Sequence, residues 1–335
     1  GRSLTPMAMK VFTTLPQANL NDIAGAAQAA ELAGFDYVGT MENRHDPFLG
    51  LGVAAVNTSK VMLTTAVAIA FARSPMVVAN TAWDLQVASN GRFVLGLGTQ
   101  IKPHNEKRFS VKWSPPVPRL REYIQALRAI WRCWELGERL RFEGDHYTFT
   151  LMTPNFTPPS SAQVSVPITM AAVGPLTLRL SGEVADGVRL HSFCTRAYLE
   201  DVVLPKIREG LGKFGKARKH FEIAGGGFIA TGKTDEEVAK TVEWIRYRIA
   251  FYGSTPSYWP VLEHHGLGDL GRKLNAMTKA GQWDEMAAEI SEEQKLEYQA
   301  ASEELDPNDH SIAADLVRYS VQPHGTWAMH NNKRL

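Results

Sequence analysis

The stretch "ITMAAVGPLTLRL" (residues 168–180) joins two patterns of different period. Its first part is short and apolar, as expected of a buried strand, and its second part carries apolar residues at helical spacing. Proline is favoured at the first position of a helix, so we expect the helix to begin at Pro175. The backbone amides around Gly174 then lie at a helix N-terminus, where an anion can bind.

Strand-then-helix units of this kind recur along the chain. Helix starts are predicted after the capping residue Asn21, from about Ser74, from about Leu120, and at the Thr234/Glu237 capping box. The alternation lacks hairpin signals between strands, so it favours a parallel sheet. We therefore predict an α/β fold of the TIM (β/α)8 barrel type. The predicted strands are "MKVFTTLP" (9–16), "FDYVGTME" (35–42), "KVMLTTAVAIAFA" (60–72), "RFVLGLGTQ" (92–100), "PITMAAVG" (167–174), "GVRLHSF" (187–193) and "FEIAGGGFIATG" (221–232).

The regular alternation is interrupted twice. Residues 137–167 are rich in proline, threonine and glycine, and beyond Tyr252 the pattern mixes loop and helix without a convincing eighth strand. We expect insertions after strands 4 and 7 in a single domain over residues 9–320. The chain begins with glycine, so residues 1–8 are expected to be a tag remnant or a disordered N-terminus, and residues 321–335 a disordered tail.

The composition is that of a globular protein. Of 335 residues 44% are hydrophobic and 21% are charged, and the net charge is +1, so no general attraction to nucleic acid or membranes is expected. The longest apolar run, residues 61–72, is shorter than the roughly 20 residues that a membrane helix needs. The two cysteines, Cys133 and Cys194, are too few for a disulfide framework and fit a cytoplasmic protein.

In a barrel of parallel strands the functional residues follow the carboxyl ends of the strands. "ENRHDPF" (42–48) places a carboxylate, an amide and an imidazole at one such end. His45 is the first candidate for moving a proton because imidazole titrates near neutral pH, Glu42 is the second, and His191 is the third. The alternatives are a solvated polar loop for His45 and a core position for His191.

Two further segments leave space for a ligand. Small residues in "TTAVAIAFARSP" (64–75) allow something flat to lie against the strand, and Gly96 and Gly98 permit close approach at the next strand end. The strand with Gly96 and Gly98 is followed by four cations, Lys102, Lys107, Arg108 and Lys112. The dinucleotide fingerprint G-x-G-x-x-G is absent from this segment. The histidine pair in "EHHG" (263–266) lacks metal-ligand spacing, so we expect no metal.

Four segments together resemble the bacterial luciferase-like superfamily. They are "MENRHDPF" (41–48), "TAVAIAFARSPMVVA" (65–79), "AWDLQVASNGRFVLGLGTQ" (82–100) and "AAVGPLTLRLSGEVADGV" (171–188), in the family's order. The details are most similar to its actinobacterial branch of oxidoreductases that use the deazaflavin coenzyme F420. The resemblance, over residues 9 to about 230, implies a TIM barrel whose mouth holds the cofactor ring against the third strand, with a non-proline cis peptide bond at Ala66–Val67.

The resemblance also implies residue roles. Glu42 or Asn43 would bind the pyrimidine part of the ring, and Ala66 and Val67 would lie against it. The ring and ribityl chain would contact residues at and after the end of strand 4, namely Gly98, Thr99 and Asn105. The phosphate would lie at the strand 5 loop, which consists of Ala171, Ala172, Val173, Gly174 and Pro175. The family's sugar-phosphate dehydrogenases have a glutamate where this chain has Gln100 and Ile101, so glucose 6-phosphate is not the expected substrate.

The expected function is therefore an F420-dependent oxidoreductase that transfers a hydride between the deazaflavin and a small organic substrate. The four cations after strand 4 complement the anionic tail of F420 better than FMN. An FMN-dependent monooxygenase served by a separate flavin reductase and a non-catalytic F420-binding protein are the alternatives. Aromatic residues in the loops, namely Trp113, Phe48, Phe193 and Trp259, favour an apolar substrate. We expect a homodimer, with the helix of Trp131 and Trp134 as its interface.

Overall fold

A computed structural model describes residues 10–160, 166–215, 221–225, 227–228, 230 and 233–291. The predicted terminal segments 1–8 and 321–335 lie outside these residues, as does the stretch in which an eighth strand would follow the last described helix. The described strands are β1 (Phe12–Thr14), β2 (Tyr37–Thr40), β3 (Met62–Thr65), β4 (Ala68–Ile69), β5 (Phe93–Gly98), β6 (Phe142–Glu143), β7 (Thr148–Phe149), β8 (Ile168–Ala172), β9 (Gly187–Leu190) and β10 (Glu222–Ala224).

The main sheet is parallel and has the order β1-β2-β3-β5-β8-β9-β10, with β4 also paired to β5. Helices connect successive strands, as the alternating pattern predicts. They are α1 (Ile23–Leu32), α2 (Leu49–Asn57), α3 (Pro75–Ala88), α4 (Pro116–Leu136), α5 (Pro175–Val184), α6 (Arg196–Tyr198), α7 (Leu204–Lys213), α8 (Asp235–Gly253), α9 (Trp259–His264) and α10 (Gly268–Lys279).

Side chains from distant strands show that the sheet curls into a half-barrel. The hydroxyl of Tyr37 on β2 donates to Glu222 on β10 at 2.9 Å, although these strands lie near opposite ends of the sheet order. The guanidinium of Arg189 on β9 lies 5.0 Å from the centre of the Phe12 ring on β1. These contacts run across the inside of the curl, so the two edges of the sheet approach each other.

Local signals place most helix starts correctly. Ser74 and Thr234 cap α3 and α8 with their side chains, and α5 begins at Pro175 as predicted. The prediction that Asn21 caps the first helix is wrong, because Asn19 accepts the hydrogen bond from the Asn21 amide and opens a short 3₁₀ turn before α1. The 137–167 segment, which breaks the alternation as expected, contains the antiparallel hairpin of β6 and β7.

The amino end of the sheet uses one arrangement twice. Asp36 accepts a hydrogen bond from the amide of Val11 at 2.7 Å, while its own amide donates to the Val11 carbonyl at 2.9 Å. Asp186 makes the same pair of bonds to Ile168, at 2.9 Å and 2.8 Å. Each aspartate therefore links the start of its strand to the preceding strand and fixes the register between them.

Arg92 joins several elements at the same end. Its side chain is buried, and its nitrogens donate five hydrogen bonds to backbone or hydroxyl oxygens without a carboxylate among them. The acceptors are the carbonyls of Ser89, Val61, Ala55 and Thr58 and the hydroxyl of Thr58. A planar guanidinium has five donors in a fixed geometry, so it can satisfy this set where lysine cannot.

Buried aromatic residues fill the layer between the sheet and helices α3 and α4. The Trp83 and Trp134 rings meet edge to face at 5.5 Å, and Trp131 Nε1 donates to the Ala79 carbonyl at 3.2 Å. Trp131 and Trp134 are only 2% and 3% exposed. Both rings are therefore used inside the chain, and a dimer interface on the helix that carries them stays a prediction.

We predict that Arg92→Ala lowers the free energy of unfolding by about 3 kcal/mol, because it leaves several buried carbonyl oxygens without donors. Urea denaturation followed by circular dichroism measures the change. Arg132→Ala is the matched control, since Arg132 is exposed and its carboxylate partner Glu138 is also exposed. Equal stability of the two variants would contradict this assignment.

Candidate active site

The inner surface near the carboxyl ends of the strands carries small side chains. A Cβ atom on Gly98 would lie 2.7 Å from Val67 Cγ2 and 3.7 Å from Ala171 Cβ, so Gly98 faces Ala171 across the β5–β8 pair. A Cβ on Gly96 would lie 3.4 Å from Thr169 Oγ1. Gly96, Gly98, Thr169 and Ala171 therefore share one face, and all four of these residues are small.

The third strand leaves the ladder where this surface begins. The Ala66–Val67 peptide bond is cis, as the family resemblance implies, and it separates β3 from β4. Here the Thr65 side chain takes part in the ladder: its Oγ1 accepts from the Gly96 amide at 2.9 Å and donates to the Gly96 carbonyl at 2.7 Å. Only glycine fits opposite, because a Cβ on Gly96 would lie 1.9 Å from the Thr65 carbonyl oxygen.

Glu42 stabilises this departure from the ladder. Its carboxylate accepts a hydrogen bond from the amide of Ile69 at 2.6 Å and two from Arg73 Nη1 at 2.8 Å each. Arg73 also contacts Asp46 at 3.1 Å. Burial lowers the pKa of Arg73, but the bonds and charge of Glu42 outweigh it, so the pKa is raised overall. Glu42 is thus engaged by the protein itself, and its roles as ring ligand and proton carrier remain predictions.

Residues 43–46 of "ENRHDPF" are exposed. His45 is exposed, and the Asn43 side chain accepts a hydrogen bond from the neighbouring Arg44 amide at 2.6 Å. Arg108, from the loop after β5, donates to the Asn43 carbonyl. This bond connects the loops after β2 and β5, so the polar residues of both loops lie around one opening.

Asn105 is the buried polar residue of the loop after β5. It is 1% exposed, and its Nδ2 donates to the carbonyls of Thr99 at 2.9 Å and Ile101 at 3.2 Å. Its Oδ1 is buried and has no hydrogen-bond donor among the described residues. A buried acceptor without a donor is unfavourable, so this atom is suited to a ligand that supplies one.

The rim beyond Asn105 is cationic. Lys107 and Lys112 are exposed and form no ion pair with any described residue, whereas Lys102 lies 4.0 Å from Glu106. Arg108 stacks over the Phe109 ring at 4.8 Å while it binds the loop after β2. Two of the four predicted rim cations are therefore available to an anion from solution.

The loop after β8 ends in an open helix N-terminus. Gly174 has extended backbone angles, Pro175 is the first residue of α5, and no described side chain caps the first turn. The Tyr198 hydroxyl donates to the Val173 carbonyl at 2.9 Å, and Thr177 Oγ1 donates to the Gly174 carbonyl at 2.9 Å. The amides of Gly174, Leu176 and Thr177 thus have no side-chain acceptor within the described part of the chain.

His191 follows β9 and lies among aromatic rings. The Tyr252 ring is 4.2 Å away and the Tyr258 ring 4.8 Å away, measured between ring centres. Burial, with a smaller effect from Arg248, lowers the pKa of His191 to about 4. Its Nδ1 accepts the Phe193 amide proton at 2.9 Å, so the neutral ring carries its proton on Nε2. At neutral pH His191 is therefore a hydrogen-bond donor without a charge.

Two of the aromatic residues expected around a substrate are core residues. Phe48 is 7% exposed and Phe193 is 1% exposed, and each packs within a buried apolar cluster. The Phe48 ring lies under the Arg73 guanidinium and the Phe193 ring packs against Tyr258, and a role for either ring in substrate binding stays a prediction. Trp113 and Trp259 are half-buried, and Trp259 Nε1 donates to the Gly253 carbonyl at 3.0 Å.

The histidine pair of "EHHG" connects elements of the protein. His264 Nε2 lies 3.2 Å from Asp201, and His265 Nε2 lies 2.7 Å from the Thr195 hydroxyl. Among the residues that the structure describes, no group of three or more potential ligands is arranged for a metal. The two histidines join α9 to the segment that begins with α6.

Sequence reasoning missed three residues that shape this site. Arg73 is the partner of Glu42, Thr65 replaces main-chain pairing at Gly96, and Tyr198 holds the Val173 carbonyl. The only signal for Arg73 was a lone cation inside an apolar run, in "AFARSP". Thr65 and Tyr198 looked like ordinary strand and helix residues.

The chain matches the family described as luciferase-like monooxygenase over residues 3–302. It belongs to this family. It is 48% identical over 285 residues to an uncharacterized protein of Mycobacterium tuberculosis, which covers 85% of this chain and 84% of that protein. It is 32% identical over 207 residues to an F420-dependent glucose-6-phosphate dehydrogenase of Nakamurella multipartita. That match covers 58% of this chain and 59% of that enzyme. The family and such relatives support an oxidoreductase.

The fold agrees with this membership. The coenzyme F420-dependent tetrahydromethanopterin reductase of Methanopyrus kandleri superimposes with a TM-score of 0.68 over 94% of this chain and 99% of that one, at 22% identity. At that identity the match speaks for the fold of this luciferase-like protein alone. No helix within the described ranges has the length and apolar character needed to cross a membrane.

The low pKa of His191 predicts a pH effect on stability. As the pH falls below the usual histidine pKa of 6.5, the unfolded chain takes up a proton that the folded chain does not, until about pH 4. We expect the wild type to lose about 1–2 kcal/mol of stability at His191 on moving from neutral pH to pH 5.

Urea titrations at both pH values measure this loss. In His191→Asn the pH-dependent loss should be smaller by that amount, while the exposed His45→Asn should behave as the wild type. An unchanged pH dependence in His191→Asn would show that the folded protein accommodates the charged ring.

Proposed function

We propose that this luciferase-like protein is an F420-dependent oxidoreductase that transfers a hydride between the deazaflavin and a small organic substrate. The observation that carries the proposal is one end of the half-barrel that combines a wall of small residues with a buried acceptor and a helix N-terminus, neither of which has a side-chain partner in the part of the chain that the structure describes. The F420-dependent enzyme of Nakamurella multipartita, 32% identical over 207 residues, supports the choice of cofactor.

The residues of the site fit such a cofactor. Ala66, Val67 and Gly98 provide a surface without bulky groups, against which a planar ring can lie. The free Oδ1 of Asn105 would accept a hydrogen bond from the ring or its ribityl chain. The open amides of Gly174, Leu176 and Thr177 would bind the phosphoryl group, because they combine N–H donors with the positive end of the α5 dipole.

When bound, the deazaflavin supplies a carbon that accepts or donates a hydride. The protein holds the ring in the half-barrel and excludes water from one of its faces. His191 offers an uncharged N–H to a substrate oxygen, and its neutral state at pH 7 follows from burial. We propose His45 as the proton carrier, because it is exposed to solvent beside the same opening and can exchange protons with bulk water.

The cationic rim favours the deazaflavin over FMN. F420 extends beyond its phosphate into a tail with several carboxylates, whereas FMN ends at its phosphate. Lys107 and Lys112 have no carboxylate partner among the described residues, so they can attract such a tail over a distance of about 10 Å at moderate salt. A flavin-dependent monooxygenase would make no use of these charges.

Direct titration tests the cofactor. Purified protein is mixed with F420 and, separately, with FMN, and binding is followed by fluorescence at low and high salt. We expect F420 to bind more tightly than FMN and its affinity to fall as salt rises. Tight FMN binding without F420 binding would replace the proposal by a flavin-dependent monooxygenase. F420 binding without turnover by any electron acceptor would indicate a non-catalytic binding protein.

The rim provides a second prediction. The double variant Lys107→Gln/Lys112→Gln should bind F420 about threefold to tenfold more weakly at low salt, because two favourable charges are lost, while FMN binding stays unchanged. Lys240→Gln, on the exposed face of α8 beside Glu236, is the control. An equal loss for F420 and FMN would mean that the lysines act on the shared phosphate rather than on the tail.

Asn105 provides a third prediction about cofactor binding. Asn105→Ala should weaken F420 binding by about tenfold, because it removes both the acceptor and the two bonds that shape its loop. Asn275→Ala is the matched control, since the Asn275 amide also donates to a backbone carbonyl, that of Ser254, but lies on α10. Unchanged affinity in Asn105→Ala would remove this residue from the site.

A further inference from the structure

The Val173 carbonyl is held by a side chain from another element. Tyr198, in α6, is 2% exposed, and its hydroxyl donates to Val173 O at 2.9 Å across 25 residues of chain. Burial raises the pKa of Tyr198, so the hydroxyl keeps its proton at neutral pH and stays a donor. The bond lies directly beside the loop at which the phosphoryl group is proposed to bind.

This bond fixes the direction of the next amide. A trans peptide unit is planar, so its C=O and N–H point in opposite directions. The C=O of Val173 points to the buried Tyr198, and the N–H of Gly174 in the same unit therefore points away from Tyr198, toward the half-exposed side of the loop. A rotation of this peptide unit would turn the N–H away from that side.

A cavity borders the residues around this peptide unit. The cavity is small and lies behind the loop, and its lining includes Ala172, Val173, His191, Cys194 and Tyr198. The Tyr198 hydroxyl is a directional contact to the Val173 carbonyl, and it favours one orientation of the peptide unit.

Tyr198 is in turn held by residues that no other part of the site uses. Thr195 Oγ1 accepts the Tyr198 amide proton at 3.1 Å and lies 2.7 Å from His265 Nε2. The His264 ring lies edge to face with the Tyr198 ring at 5.7 Å. The "EHHG" segment therefore supports the tyrosine, which gives this segment a place in the site without a metal.

We propose that Tyr198 is a positioning residue that orients the Gly174 amide toward the phosphoryl group of the bound cofactor. This inference rests on the proposed function only in requiring a ligand with a ring, a ribityl chain and a phosphoryl group. It holds equally for F420 and for FMN. Tyr198 acts through the Val173 peptide and does not touch the reacting atoms.

The test compares ligands with and without the phosphoryl group. Dissociation constants are measured by fluorescence for F420 and for the same deazaflavin ribityl compound lacking the phosphate, on wild type and on Tyr198→Phe. We expect Tyr198→Phe to weaken F420 binding by about tenfold and binding of the phosphate-free compound by less than about twofold. A residue with only a structural role would weaken both ligands alike.

Two further variants keep the result interpretable. Thr195→Val loosens Tyr198 without altering the ring, so it should show a smaller loss confined to F420, and it replaces Tyr198→Phe if that variant does not fold. Tyr147 lies in the β6–β7 hairpin, and its half-buried hydroxyl accepts a hydrogen bond from Arg119. Tyr147→Phe removes this hydroxyl and should leave both affinities unchanged. Equal losses for the two ligands, or no loss, would overturn the inference.

The same variants are titrated with FMN and riboflavin. If only FMN shows the loss, the cofactor proposal fails and the role of Tyr198 stands. A second outcome overturns the role of Tyr198, whichever ring the protein prefers. It is that the wild type binds F420 and its phosphate-free counterpart equally well, and also binds FMN and riboflavin equally well. Selective loss of F420 in Tyr198→Phe supports both.

Discussion

The close approach of the Thr65 carbonyl to Gly96 is the constraint on which the site depends. The two backbones lie so near that a methyl group on Gly96 would overlap the carbonyl, and the threonine hydroxyl completes the pairing that the main chain abandons there. Because β3 leaves the ladder at this point, Ala66 and Val67 can face the open end of the half-barrel. Glu42 and Arg73 then hold the displaced segment through the Ile69 amide.

The two ends of the sheet meet different physical demands. At the amino end, Arg92, Asp36 and Asp186 satisfy buried backbone groups and fix strand register, and their partners all lie within the protein. At the carboxyl end accumulate polar groups that have no partner among the described residues: the Asn105 oxygen, the first amides of α5 and two rim lysines. Such a division is expected when one end of a strand-and-helix barrel carries stability and the other binds ligands.

Electrostatics within the site separates two histidines that look alike in the sequence. His191 is enclosed by Tyr252 and Tyr258, with Arg248 nearby, so its neutral form is favoured and its hydrogen-bond direction is set by the Phe193 amide. His45 lies in solvent on the loop after β2. A hydrogen-bond donor and a proton carrier are different tasks, and the difference in burial is the reason why the two histidines are proposed for different ones.

The sequence by itself determined the order of strands and helices, the helix starts at Pro175 and near Ser74, the cap at Thr234, and family membership, because these depend on residues close together in the chain. Only the tertiary structure decided that Glu42 binds Arg73, that Asn105 keeps one free oxygen, that Phe48, Phe193, Trp131 and Trp134 are buried, and that Tyr198 holds Val173. Each of these contacts joins separate elements or depends on what covers a side chain. Local propensity carries no information about either, since strand curl and helix packing bring such partners together.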